Sequence, residues 1–279
     1  MKFEMMPRHW DLLQKSGDRH KYDYGHAVVV SGSFGNGGAA RLAALGALRI
    51  GAGLVSVVCT SDAIPEHASH LTAIMIKPFG DETSLKACLA KLHPSAICIG
   101  PNLGLNDIAK GKLLESLAPT YPKCIDADAI TLLSTADFDT AGTLCPKDVM
   151  TPHEGELRRY IPEAFARTTC RTTLAKAAAS KANCVVLFKG VDTIIATPGV
   201  EYCTVSAAES HHASWLATAG SGDVLAGFIT GLLARGCTAF DAASIGAALL
   251  LKCAEAFGPG LIAEDIPEIL PKVLSLNSS

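Results

Sequence analysis

Basic clusters are missing from this 279-residue sequence, whose formal charge is −3 at pH 7. A protein that grips nucleic acid through its phosphates gathers Lys and Arg on one face, so no nucleic-acid partner is expected. Paired cysteines are missing too. The ten cysteines are scattered from Cys59 to Cys253 without a C-x-x-C. Most lie in apolar runs such as Ala96-Ile97-Cys98-Ile99, which predicts reduced, buried thiols of a cytoplasmic protein rather than disulfides or a zinc site. Met1 to Trp10 lacks an apolar signal core, and Gly, Ser or charge interrupts every long apolar run, so no membrane span is expected. Linkers, composition shifts and internal repeats are likewise missing. What is present is enough for a large core: 49% hydrophobic residues against 18% charged. The expectation is a polar N-terminal lead-in over 1–24, lying on the surface, followed by a single domain over 25–279.

Apolar runs and their punctuation predict repeated β–turn–α units. His26 to Ser31 reads as a buried parallel strand that enters the glycine-rich turn 32–38 and a helix over about 39–50. Further strands are expected at 54–59, 72–76, 96–99 and 184–188, with helices at 84–92, 107–117 and about 168–182. Val149-Met150 ends a short strand, and 193–196 with 201–205 read as a hairpin around Pro198-Gly199. Helices over 224–233 and 240–256 precede a short tail, 258–274. The order predicts an α/β protein of three layers (α/β/α), its sheet mainly parallel and covered by helices on both faces. One ligand crevice is expected along the carboxyl edge of the strands.

The chemistry-bearing residues cluster at those strand ends. The turn 32–38 has neither the G-x-G-x-x-G spacing nor the Lys-Ser/Thr ending of a Walker loop, so alone it reads as a tight βα turn. Asp126 and Asp128 stand at a strand tip, where they either face a ligand or cap the next helix. His153 and Lys189 follow other strand ends. Gly220-Ser221-Gly222 comes last, directly before an apolar helix. Small residues let backbone approach a ligand closely, and a helix start offers free N–H groups to a phosphate. Asp223, in the first turn, either accepts a proton beside that phosphate or only complements the helix dipole. His211 and His212 have no partner spacing for a metal, so no metal ligands are assigned.

Seven motifs keep a recognisable order over about residues 20–273. They are His20-Lys21, Gly38-Ala39-Ala40, Gly100-Pro101-Asn102-Leu103-Gly104, Asp126-Ala127-Asp128-Ala129, Thr151-Pro152-His153-Glu154-Gly155-Glu156, Lys189-Gly190 and Ala219 to Gly227. In these the sequence resembles the ADP/ATP-dependent NAD(P)H-hydrate dehydratases, a family of ribokinase-like fold. Gly-x-Gly-Asp alone is shared with sugar and vitamin kinases of that fold, whereas Thr-Pro-His-x-Gly-Glu together with Gly-Pro-x-Leu-Gly discriminates better. The chain departs from the family at Asn102, where Gly is usual, and at His211 to Trp215, where many members carry a Gly-Asn-Pro-type segment.

The resemblance implies a repair enzyme that dehydrates the S form of hydrated NADH or NADPH at the expense of ADP, with ATP used by eukaryotic members. It implies that Asp223 takes the proton of the ring hydroxyl as that oxygen attacks the terminal phosphate. Gly220, Ser221 and Gly222 would stabilise the transferring phosphate. Lys189, Gly190, Val191, Asp192 and Thr193 fall on the nucleotide side. Ala39, Ala40, Asn102, Gly104 and His153 join Asp223 around the hydrated cofactor. Mg²⁺ is expected on the nucleotide phosphates with mostly water ligands. Trp215 either packs under the glycine loop, the favoured reading, or stacks on adenine. A homo-oligomer, a tetramer by resemblance, and an NAD(P)H-hydrate epimerase on a separate chain complete the expectations. The rival readings are a hydroxymethylpyrimidine- or thiazole-type kinase of the same fold and a nucleotide-binding protein without turnover.

Overall fold

Short runs of Val, Ile, Cys and Ala become nine strands: β1 (His26–Val30), β2 (Leu54–Thr60), β3 (Met75–Phe79), β4 (Ala96–Ile99), β5 (Lys123–Ile125), β6 (Val149–Met150), β7 (Val185–Phe188), β8 (Asp192–Ala196) and β9 (Tyr202–Ser206). They form one sheet in the order β3-β2-β1-β4-β5-β6-β7-β8-β9. The structure is a computed structural model and describes residues 1–80, 84–117, 121–135 and 142–276. Strands β1 to β7 are parallel, with Val29 beside both Val57 and Cys98. The expected hairpin is there as the antiparallel pair β8–β9.

The helices are α1 (Pro7–Leu13), α2 (Gly38–Arg49), α3 (Ile64–Ala68), α4 (Leu85–Leu92), α5 (Asp107–Leu117), α6 (Ala127–Leu133), α7 (Glu154–Tyr160), α8 (Pro162–Phe165), α9 (Arg171–Ala182), α10 (Ser221–Ala234), α11 (Ala239–Phe257) and α12 (Asp265–Ser275). Alternate strand residues feed opposite layers. Val29, Val57, Cys98 and Leu187 pack with α2, α10, α11 and α12. Val28, Val30, Ile97, Ile99 and Val186 pack with α4, α5, α6, α7 and α9. Covering on both faces explains why β1, β4 and β7 are buried throughout, apolar but for His26, rather than alternating.

Two features position the crevice. Strand order reverses between β1, followed outward by β2 and then β3, and β4, which starts the series running the other way. Open α/β sheets bind ligands outside the carboxyl ends of strands at such a reversal. Helix α10 lies close against α2, its glycines letting the backbones approach. A Cβ added at Gly227 would stand 2.1 Å from the Ala43 carbonyl oxygen, and one at Gly231 would stand 2.8 Å from that of Ala47.

Three expectations are corrected. The third strand is Met75–Phe79, not 72–76. It contains Pro78, tolerated because β3 is an edge strand bonded only to β2. The tail 258–274 contains α12, whose Ile266, Leu270 and Val273 are buried at helical spacing despite Pro271. The lead-in is more than a surface covering: Phe3 N–H donates to the Thr204 carbonyl at 2.8 Å and Thr204 N–H to that of Met1 at 2.9 Å, along β9. It also carries α1, with His9 and Leu13 buried. All ten cysteines are free thiols, and only Cys170 is exposed. Among the described residues no helix is long and apolar enough to cross a membrane.

Candidate active site

Three strand ends and one helix start meet at the carboxyl edge. Asp126 follows β5, Thr151 follows β6 and Lys189 follows β7. Lys189 Nζ donates to Asp126 Oδ1 at 2.8 Å, and Thr151 Oγ1 donates to the same oxygen at 2.8 Å. Asp126 is buried, so its charge needs these partners. Asp126 is also the N-cap residue of α6, but its side chain makes no cap bond. Its carboxylate is engaged by Lys189 and Thr151 instead of capping α6. Burial works against the Lys189 ammonium, yet the Asp126 and Glu156 carboxylates outweigh it and hold its pKa above the ordinary lysine value.

Helix α10 enters this group by its N-terminus. Gly220 adopts φ +92° as the residue before it, a conformation open to glycine, and the Leu42 and Ala263 side chains leave no room for a Cβ. Ser221 Oγ turns back to donate to the Leu216 and Thr218 carbonyls, at 2.7 and 3.1 Å. Its hydroxyl is thus spent on holding the loop. Gly222 faces the lysine: a Cβ added there would lie 3.6 Å from Lys189 Nζ. Asp223 occupies the first turn, partly buried. Burial, reinforced by the like charge of Asp126 and opposed by Lys189, pushes its pKa up to about 7. Among the described residues nothing donates to its carboxylate. A carboxylate with that pKa takes up and releases a proton near neutrality, as a general base must.

The turns after β1 and β4 form the opposite wall. They touch through backbone: a Cβ at Gly32 would stand 2.0 Å from the Asn102 carbonyl oxygen. Asn102 lies at φ +49°, the left-handed region where Gly costs least and Asn comes next. That conformation accounts physically for Asn at a position where Gly is usual. Gly104 N–H donates to Asp128 Oδ2 at 2.8 Å, so Asp128 braces this turn from the first turn of α6. The turn after β1 is held from outside. Glu66, on α3, accepts from Gly35 N–H at 2.7 Å, Gly37 N–H at 2.9 Å and Arg41 at 3.0 Å. Ala39 and Ala40 follow, buried in the first turn of α2.

Comparison with known proteins gives this edge its context. The family model described as NAD(P)H-hydrate dehydratase matches residues 27–271. The chain belongs to the NAD(P)H-hydrate dehydratase family. An ADP-dependent (S)-NAD(P)H-hydrate dehydratase from Neisseria meningitidis is 33% identical over 264 residues, covering 90% of this chain and 86% of its own. A bifunctional NAD(P)H-hydrate repair enzyme from Coxiella burnetii is 32% identical over 84% of this chain, and the chain spans 46% of its length. The chain spans about half the length of the first curated relatives it matches. Among solved structures, an ADP/ATP-dependent NAD(P)H-hydrate dehydratase from Bacillus subtilis, co-crystallised with ATP/Mg²⁺, aligns with a TM-score of 0.74 at 25% identity, covering 94% of this chain and 93% of that one. Ribokinase from Thermotoga maritima shares the fold, with a TM-score of 0.56 at 14% identity over 88% of this chain and 99% of that one.

Set against this family's motifs in the sequence, the structure brings Asp126, Lys189, Gly220, Ser221, Gly222 and Asp223 together. Ala39, Ala40, Asn102 and Gly104 line the adjoining turns. Gly190 and Thr193 are tied to each other, Thr193 Oγ1 donating to the Gly190 carbonyl at 3.0 Å. Val191 is exposed, and the Asp192 carboxylate accepts from Ser206 Oγ at 2.6 Å, across to β9. His153 is a capping residue in the structure: Glu156 N–H donates to its Nδ1 at 3.2 Å while His153 N–H donates to Glu156 Oε2 at 2.8 Å. Its ring remains half-exposed at the strand end. Trp215 is 42% exposed and lines an open cavity of about 480 Å³ with Gly260, Leu261 and Ile262.

Sequence reasoning missed two supports. Glu66 is one, and no local motif announces it. Arg171 is the other: its guanidinium lies 3.6 Å from the centroid of the Phe188 ring and donates to the Lys189 carbonyl at 2.7 Å. It thereby fixes the backbone that presents Lys189.

Proposed function

We propose that this chain dehydrates the S form of hydrated NADH or NADPH, consuming ADP and releasing NAD(P)H, AMP and phosphate. The observation that carries the proposal is Asp223. It is a carboxylate with a pKa of about 7 at a helix N-terminus, between the Lys189 side of the crevice and the turns after β1 and β4. Hydroxide leaves poorly, and phosphorylation turns it into a good leaving group. Asp223 accepts the proton of the ring hydroxyl while that oxygen attacks the terminal phosphorus of ADP, and AMP departs. The N–H groups at the start of α10, around Gly220, Ser221 and Gly222, carry the charge building on the phosphoryl oxygens. The ring nitrogen's lone pair then expels phosphate, the neighbouring ring carbon loses a proton, and the conjugated dihydropyridine is restored.

Lys189, Gly190, Val191, Asp192 and Thr193 take the nucleotide side in this reading. Ala39, Ala40, Asn102, Gly104 and His153 take the hydrated cofactor. Among the described residues no group of three or more His, Cys, Asp or Glu is placed to hold a metal ion. Mg²⁺ would therefore be held by nucleotide phosphates and water, supplying charge neutralisation there. The dehydratase works as a homo-oligomer, a tetramer, in the cytoplasm, and takes its S substrate from an epimerase. Light scattering at the mass of a single chain would count against the oligomer.

The test is to incubate the protein with hydrated NADH, Mg²⁺ and either ADP or ATP while following the absorbance of the reduced nicotinamide ring. Return of that absorbance with AMP and phosphate is expected with ADP. No return with either nucleotide would sink the proposal. A kinase of the same fold would instead leave a stable phosphate ester and no regained absorbance.

A further inference from the structure

The turn after β1 is glycine-rich, and its shape is imposed from elsewhere. Gly32, Gly35, Gly37 and Gly38 give it little preference of its own, and glycine loses more freedom on ordering than any other residue. A single carboxylate supplies the order. The two oxygens of Glu66 take N–H groups from Gly35 and Gly37, residues 31 and 29 positions away, and Oε1 also takes the Arg41 guanidinium. Burial opposes the charge on Glu66, but the Gly35 N–H, Arg41 and the Gly37 N–H together hold its carboxyl below the usual range. Room for the arrangement exists only because position 37 lacks a side chain: a Cβ would stand 2.6 Å from Glu66 Oε1 and 2.8 Å from His67 Cε1.

The base of the turn is fixed as well. Ser31 Oγ is 3.1 Å from His67 Nε2, and the buried Lys112 ammonium donates to the Ser31 carbonyl at 3.3 Å. Strand end and amides are thus both anchored, by residues of α3 and α5 that lie outside the crevice. The anchored turn leads into Ala39 and Ala40 and abuts Asn102. Lys189 and Gly190 stand beyond the start of α10.

From this the geometry points to Glu66 as the residue that positions the substrate wall, acting through the Gly35 and Gly37 amides and selectively on the hydrated dinucleotide. The inference rests on the dehydratase reading for which ligand that wall meets. Without the carboxylate, the turn must be ordered by the substrate itself, at a cost in binding that is the same in the ground and transition states. Such a loss raises KM and leaves kcat in place.

The experiment compares wild type, Glu66→Ala and Glu66→Gln with hydrated NADH and ADP varied separately, alongside amide exchange of peptides spanning residues 33–38. Glu66→Ala should raise KM for the hydrate about tenfold, leave KM for ADP within about twofold, and speed exchange of the turn. Glu66→Gln keeps one carbonyl acceptor at the same reach and should recover part of the loss. An unchanged KM for the hydrate, or equal rises for both substrates, overturns the assignment. A Glu66→Ala protein that does not fold leaves Glu66→Gln to decide: unaltered KM values and exchange there also overturn it. Absence of turnover in wild type rejects the dehydratase reading instead, and the exchange comparison still decides whether Glu66 holds the turn.

Discussion

Neutralising Asp223 should abolish turnover and stabilise the protein, and both effects have a definite pH dependence. In the wild type the charged form is the base. With a pKa of about 7, roughly one-tenth of the molecules are charged at pH 6 and roughly nine-tenths at pH 8. The value of kcat/KM should therefore fall about tenfold between pH 8 and pH 6, where an ordinary carboxylate would give a flat profile. For stability the sign runs the other way. A carboxyl whose pKa is higher folded than unfolded favours the fold fully below the unfolded value, 3.8, and loses that contribution as pH rises through about 7. At about 1.36 kcal/mol per pH unit the ceiling is about 4 kcal/mol, and partial exposure of the side chain reduces this to about 1–2 kcal/mol. Asp223→Asn should thus be more stable than wild type by about 1–2 kcal/mol at pH 8 and equal to it near pH 4. Urea unfolding at the two pH values, with kcat/KM profiles from pH 5.5 to about 8.5, makes the check. A flat acid limb, or an Asn variant whose stability advantage over wild type is no larger at pH 8 than at pH 4, would refute the account of Asp223 as a carboxylate charged against its surroundings.

Asp126→Asn removes the like charge and frees Lys189 to face Asp223, so the acid limb should move down by about one pH unit; an unmoved limb would separate the two carboxylates electrostatically. Lys189→Met leaves the buried Asp126 charge with Thr151 as its one hydroxyl donor and should cost about 2–3 kcal/mol in denaturant unfolding at pH 8, with a loss below about 0.5 kcal/mol counting against the pair. Gly227→Ala places a methyl 2.1 Å from the Ala43 carbonyl oxygen and should lower stability by more than about 2 kcal/mol through separation of α10 from α2, read as a fall in Tm. Asn102→Gly should stay within about 1 kcal/mol of wild type while Asn102→Val loses more than about 1 kcal/mol, because φ is +49° there; equal stability of the two would contradict the left-handed backbone.

The sheet interior was legible because both faces of it are covered. Ala96–Ile99 and Asp107–Leu117 fall where the apolar runs and their flanking turns put them. The edges were not, since there the rules loosen: Pro78 sits within β3, and Pro271 within α12, each in an element whose partners tolerate it. Asp223, Lys189 and the glycine turns could be found because each stands directly at a strand end or helix start. Their long-range contacts could not. Asp126 and Lys189 are 63 residues apart, and Glu66 reaches a turn about thirty residues before it, separations that no local pattern encodes. His153 illustrates a third kind of limit, for its spacing to Glu156 serves a helix cap and a ligand contact equally well.

The contact of Gly227 and Gly231 with α2 has a mechanical consequence. One helix carries Asp223 in its first turn; the other begins with Ala39 and Ala40. With the helices this close at Gly227 and Gly231, sliding or tilting of one past the other is opposed, so Asp223 and the turn after β1 are held at a fixed separation.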